Sequence, residues 1–165
     1  MKTRSPGNSV RWFASGPLFL GSIISIFLVS APASAAACRD IPTVQQSADA
    51  TANTGMGGHL SQHILGMQPP QGTSQVGKTL FADRGKFEGA WRIYRSITNP
   101  RTCTSGAVLQ TFDLGHPIDA FSCKRADGEG RCTEWDSFHG THVSVGFLQV
   151  GGRWILNTAF PLPIP

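Results

Sequence analysis

Between positions 107 and 160 the chain carries five strand-like runs separated by turn residues, and this block limits the fold more than any other feature. The runs are 107–114, 118–124, 132–138, 141–150 and 153–160. Gly151-Gly152 joins the last two, and a glycine pair between alternating apolar runs is a strong signal for a two-residue hairpin. Strands joined so tightly run antiparallel. Upstream, Phe87, Ala90, Trp91, Tyr94 and Ile97 recur at i, i+3, i+4, i+7 and i+10, which is one face of an amphipathic helix. Asn99-Pro100 stops that helix. Helices come first and strands afterwards, without the alternation a parallel doubly wound sheet needs. The expected class is α+β, with N-terminal helices packed on a C-terminal antiparallel twisted sheet.

A two-residue turn at Gly151-Gly152 implies a register. Val150 pairs Arg153, Leu148 pairs Ile155, Val145 pairs Thr158 and Val143 pairs Phe160. One face then carries Val143, Val145, Phe147, Trp154, Leu156, Thr158 and Phe160. Thr158 and Phe160 stand at i and i+2, so they leave the strand on the same side. They lie at the end away from the turn, where a core face opens into a cleft. His142 points the other way in this register, and a bulge would reverse it.

The first 35 residues are not read as fold. Lys2, Arg4 and Arg11 form a positive n-region, an apolar run follows from Pro17 to Ala31, and Ala33-Ser34-Ala35 is an A-x-A cleavage signal. This reads as a secretory signal peptide, with an uncleaved anchor as the weaker alternative. The run falls short of the roughly 20 apolar residues a spanning helix needs. A lipoprotein reading at Cys38 lacks the usual leucine three places earlier, where Ala35 stands. Cleavage leaves 130 residues, enough for one domain with a real core. Residues 36–56 form an N-terminal segment with a weak helix over 43–54, and 57–165 form the main domain. The expected location is periplasmic or secreted, without stable membrane association.

Removing the signal changes the charge argument. The whole chain has 14 Lys and Arg against 10 Asp and Glu. Three of the cations lie in the first 35 residues, which hold no acid, so 11 cations remain against 10 acids. Bulk charge therefore gives no support for nucleic-acid binding, and any RNA site must be a local patch. All four cysteines survive cleavage, and an even count in an exported chain points to disulfides. Cys123 and Cys132 flank the turn-rich stretch 126–130, so they are expected to pair across a hairpin. That leaves Cys38 with Cys103, tying the N-terminus to the body. The alternative is free buried thiols.

Gly55, Gly57 and Gly58 end the first helix, 59–65 reads as a short helix, and 66–77 is a loop holding Pro69 and Pro70. His59 and His63 have H-x-x-x-H spacing, which can bind a metal from one helix face. The zinc-protease version has glutamate directly after the first histidine, where this chain has Leu60, and no acid follows within a dozen residues. No metal and no cofactor are expected, and a zinc-dependent hydrolase is the least favoured reading. The two histidines serve either a structural role or proton transfer by at least one of them. Lys78, Arg84 and Lys86 are the nearest cations. Lys78, just after Gly77 on the way out of the loop, is the first choice to steady a pentacoordinate phosphate. Asp113-Leu114-Gly115-His116-Pro117 reads as a turn. His139 and His142 flank Gly140 and are either loop residues or a second acid. No Ser-His-Asp order, phosphate loop or nucleotide fingerprint is present.

Taken in order, these segments resemble the ribonuclease A-like toxin domain found at the C-terminal tips of bacterial contact-dependent growth inhibition proteins. That family opens on Gly-Gly-His with a second histidine four residues on, matched by Gly57-Gly58-His59 and His63. A helix follows, then a turn like Asp113-Leu114-Gly115-His116-Pro117, and a final hairpin ending Thr-Ala-aromatic-Pro, matched by Thr158-Ala159-Phe160-Pro161. The matches span 57–161. The resemblance implies a ribonuclease A-like fold and a metal-independent ribonuclease acting on single-stranded RNA. It also implies an interbacterial toxin with a cognate immunity protein. His59, Thr158 and Phe160 carry over by motif. Lys78 is assigned by position, because 66–77 departs from the family's helical pattern. Phe160 stands at a tyrosine-like position, where it can stack on a base but cannot donate a hydrogen bond. The expected catalytic set is His59, His63, Lys78, Thr158 and Phe160, in a monomer whose substrate is RNA. The rival is a non-catalytic secreted binding module of the same fold.

Overall fold

The computed structural model describes residues 36–163, and the expected signal segment lies outside them. Two short helices come first, α1 (Pro42–Ser47) and α2 (Ala50–Asn53). A 3-10 turn over Leu60–His63 follows, then β1 (Thr79–Phe81), α3 (Arg84–Ser96), β2 (Val108–Ala126), β3 (Cys132–Val150) and β4 (Arg153–Leu162). The four strands form one antiparallel sheet in the order β1-β2-β3-β4. The α+β class with a C-terminal antiparallel sheet is the observed one. Among the described residues, no helix is long and apolar enough to cross a membrane.

Four of the five strand runs fuse into two long strands. The Asp113–Pro117 turn does not reverse the chain. It is a bulge inside β2, where the register passes from Asp113↔His142 to Ile118↔Gly140. Extra residues on one strand bend it and leave backbone groups unpaired, which is where a proline is tolerated and a glycine at φ +75° fits at Gly115. Strand β1 pairs Thr79–Phe81 with Ser122–Ala120 and is too short to show a period.

Helix α3 starts one turn before its apolar pattern, because the Asp83 carboxylate accepts from Lys86 N–H at 2.8 Å and caps it. Phe87, Ala90 and Tyr94 are its buried face. Phe87 meets Phe81 edge-on at 5.7 Å, and Tyr94 lies 5.2 Å from Phe112 and 5.8 Å from Phe147. Segment 36–56 enters the same core through Cys38, Val44, Ala48 and Ala50. Both expected disulfides are present, Cys38–Cys103 and Cys123–Cys132, closing 65 and 9 residues. Chain entropy alone credits them with roughly 4 and 2.5 kcal/mol.

The β3–β4 register corrects one expectation. Val150↔Arg153 and Leu148↔Ile155 hold, but Asn157 is an extra residue, and beyond it Gly146 pairs Thr158 and Ser144 pairs Phe160. The bulge turns Thr158 and Phe160 away from the core. Val143, Val145, Phe147, Leu156 and Ala159 fill the core face, while Thr158 and Phe160 share the other face with His142, Ser144 and Gly146.

Candidate functional site

The bulge builds one wall of a cleft. Thr158 lies over Gly146, where a Cβ would stand 2.8 Å from Thr158 Cγ2, so any side chain there would push the threonine away. The Thr158 hydroxyl is buried and has no hydrogen-bond partner among the described residues. A buried polar atom without a partner is costly unless a ligand or water meets it.

The opposite wall begins at the glycine pair. Gly57 takes φ +93°, which glycine adopts at little cost. Gly58 lies against the carboxamide of Asn53, with no room for a Cβ. That carboxamide is fully buried. Its Oδ1 accepts from Leu60 N–H at 2.8 Å, and its Nδ2 donates to Ser47 O at 2.8 Å and to Leu156 O at 2.6 Å. Next to it, His59 N–H donates to the carbonyl of the bulge residue Asn157 at 2.8 Å. One side chain and one backbone bond therefore set His59 against Thr158.

His63 ends the 3-10 turn and is buried. Its Nδ1 lies 2.9 Å from the Thr79 carbonyl, which can only accept, so Nδ1 carries the hydrogen and Nε2 is left as an acceptor. Its ring centre is 5.1 Å from Phe160 and 6.3 Å from His59. Gln75 holds the end of this turn. Its Nε2 donates to the carbonyls of Ser61 and Ile64 at 2.8 and 2.9 Å, and its Oε1 accepts from Cys132 N–H at 2.8 Å. Lys78 is exposed at the start of β1, and its carbonyl accepts from Cys123 N–H at 2.9 Å, so the 123–132 disulfide hairpin supports it.

His59, His63, Gly77, Lys78, Thr79, Thr158, Phe160 and Leu162 line a cleft of about 390 Å³. All five expected catalytic residues are among them. Burial and then the nearby Lys78 cation hold His59 below the ordinary imidazole value. Burial pushes His63 down to about 4, against the opposing effect of its Thr79 hydrogen bond, with His59 and Lys78 adding to the depression. Both imidazoles are therefore proton acceptors at neutral pH. Among the described residues, Lys78 is the one lysine or arginine in the lining, and no carboxylate lines the cleft. The arrangement can attract an anion to Lys78, accept a proton at His59 and stack a flat ring on Phe160.

The other candidates lie elsewhere. Arg84 is paired with Glu88 and Asp49, and Lys86 lines a different groove. His139 pairs with Asp119 at 3.1 Å. His142, expected to point away from Thr158, stands on its face opposite Leu162, yet it does not line the cleft. Among the described residues, no third His, Cys, Asp or Glu joins His59 and His63 in a group that could hold a metal ion. Sequence reading missed Asn53, Gln75, Thr79, Gly146 and Leu162. Nothing local marks Asn53 or Gln75, whose partners are distant carbonyls and amides. Comparison with protein-family models, with curated proteins and with solved structures returned no match.

Proposed function

We propose that this chain is an exported, metal-independent ribonuclease that cleaves single-stranded RNA by attack of a 2′-hydroxyl on the adjacent phosphorus. One observation supports this reading above the rest. Three separate segments bring His59, Lys78, Thr158 and Phe160 to one cleft, with the imidazole neutral and the threonine hydroxyl unpartnered among the described residues.

The chemistry uses the one nucleophile RNA carries and DNA lacks. A phosphate oxygen sits against Lys78, the Thr158 hydroxyl turns outward to donate to it, and Phe160 stacks on the neighbouring base. Neutral His59 takes the 2′-hydroxyl proton as O2′ bonds to phosphorus. Lys78 and Thr158 meet the charge that grows on the phosphorane oxygens. The P–O5′ bond then breaks, and the imidazolium of His59 returns its proton to the departing 5′-oxygen. The products are a 2′,3′-cyclic phosphate and a 5′-hydroxyl, and no proton is gained or lost overall. His63 packs beneath Phe160 and holds the wall. The toxin role and a cognate immunity protein rest on the family resemblance.

The test is incubation with a labelled single-stranded RNA in EDTA, beside the same strand with 2′-deoxyribose at every position. The RNA should be cut to cyclic-phosphate ends and the deoxy strand left whole. His59→Ala should slow cleavage by about 10²-fold or more, and Lys78→Arg should retain more activity than Lys78→Ala. Intact RNA after incubation with folded protein would replace this reading with the non-catalytic binding module. Cleavage that vanishes in EDTA and returns with zinc would replace it with the metal hydrolase.

A further inference from the structure

A second concavity lies away from the cleft and shares none of its lining residues. Helix α3 turns Phe87, Ala90 and Tyr94 into the core. Gly85, Gly89, Ile93 and Ser96 follow one another at helical spacing along another face. With the bulged part of β2 (Leu114, Pro117 and Ile118) they wall a groove of about 520 Å³.

Three features of the groove point to the same occupant. Its wall is mostly apolar, through Ile93, Leu114, Pro117 and Ile118. Its floor is open at Gly89, where an added Cβ would meet nothing within 4 Å. Glycine is a poor residue in a helix interior, and neither internal packing nor a positive φ calls for it there. Its cations are Lys86 and Arg92; among the described residues no carboxylate lines it, and neither cation forms an ion pair. The chain beyond residue 35 is close to neutral, so this concentration of unpaired basic groups is local.

We infer that this groove docks an acidic polypeptide segment, which seats a large apolar side chain on Gly89 between Ile93 and Ile118 and turns carboxylates toward Lys86 and Arg92. An apolar pocket ringed by charge is how an anchor residue is desolvated while rim charges set partner choice. Single-stranded RNA fits less well, since it stacks its bases on aromatic side chains and no Phe, Tyr or Trp lines the groove. The inference does not depend on the ribonuclease reading.

The test uses the chain from residue 36 onward, which contains every described element and both disulfides. It is panned against a phage-displayed library of random peptides, and enriched peptides are titrated in solution. The expected sequences carry a large apolar residue flanked by Asp or Glu. Their affinity should fall at least tenfold with Gly89→Leu, whose Cβ enters open space and whose side chain then occupies the groove, and with Arg92→Glu. RNA cleavage by both variants should equal that of the parent if the parent cuts RNA. Peptides without acidic residues, undiminished binding to Gly89→Leu, or no enrichment would overturn the inference. So would a labelled oligouridylate whose binding is lost in the same two variants, since the groove would then serve nucleic acid.

Discussion

Replacing Gly58 with alanine tests the physical account of the glycine pair. The backbone at Gly58 is open to any residue, so the cost is steric. A Cβ there would stand 2.6 Å from Asn53 Nδ2 and 2.7 Å from its Cγ, well inside contact distance. The carboxamide must then leave, and it makes three buried hydrogen bonds, with Leu60 N, Ser47 O and Leu156 O. Each such bond is worth about 1 kcal/mol net, and more where a buried group is left without a partner. Gly58→Ala should therefore cost about 4 kcal/mol. A domain of this size loses roughly 4 °C in Tm per kcal/mol, so melting should fall by about 15 °C. The control is a double-mutant cycle with Asn53→Ala, read by urea denaturation. With the carboxamide already removed, the alanine methyl has room, and the second substitution should cost less than about 1 kcal/mol. A Gly58→Ala protein within 1 kcal/mol of its parent would refute the steric argument. So would an equal cost in the Asn53→Ala background.

Three other outcomes follow from the same structure. His63 has a folded value of about 4 against 6.5 when unfolded, so the unfolded chain binds more protons between those values. Stability is complete above pH 6.5 and declines as pH falls toward 4, by up to about 3 kcal/mol. His63→Asn, which keeps a donor for Thr79, should flatten that decline in urea titrations from pH 7 to 4, and an unchanged slope would contradict it. Gly89→Ala adds a methyl in open space within a helix and should raise stability by about 1 kcal/mol in thermal melts. Serine replacement of Cys38 and Cys103 should destabilise more than replacement of Cys123 and Cys132, roughly 4 against 2.5 kcal/mol, because the first closes 65 residues and the second 9. The second pair should nevertheless cost more RNA cleavage, since the backbone of Cys123 holds Lys78, and the reverse ranking in a cleavage assay would count against that support.

Much of the fold was legible because it rests on local rules. The helical period from Phe87 onward and the Gly151-Gly152 turn each act within a few residues and are found where the pattern puts them, although α3 begins at Arg84 and ends at Ser96, with Ile97 already extended ahead of Asn99-Pro100. The disulfide partners could be read because Cys123 and Cys132 flank a tight turn, which left Cys38 with Cys103. The signals failed where an irregularity carried no local mark. Asp113–Pro117 looks like a reversal and is a bulge inside a continuous strand. Asn157 has no feature that separates it from its neighbours, yet it shifts the register by one.

That shift decides what the cleft is. Amino-acid order alone determined that the chain is α+β, where the core of α3 and the turn of the final hairpin lie, and which residue types are on hand for chemistry. Side-chain alternation has a period of two, so a single extra residue sends every later side chain to the opposite face, and no local preference opposes it. Whether Thr158 and Phe160 belong to the core or to a cleft was therefore left to long-range contacts. The His59 backbone bond to Asn157 and the Asn53 bond to Leu156 join segments about 100 residues apart, and packing of the core face then fills the opposite side with Leu156 and Ala159. The same holds for the imidazoles. His63 becomes a neutral acceptor because folding buries it against Thr79 and Phe160, and desolvation is a property of the assembled site.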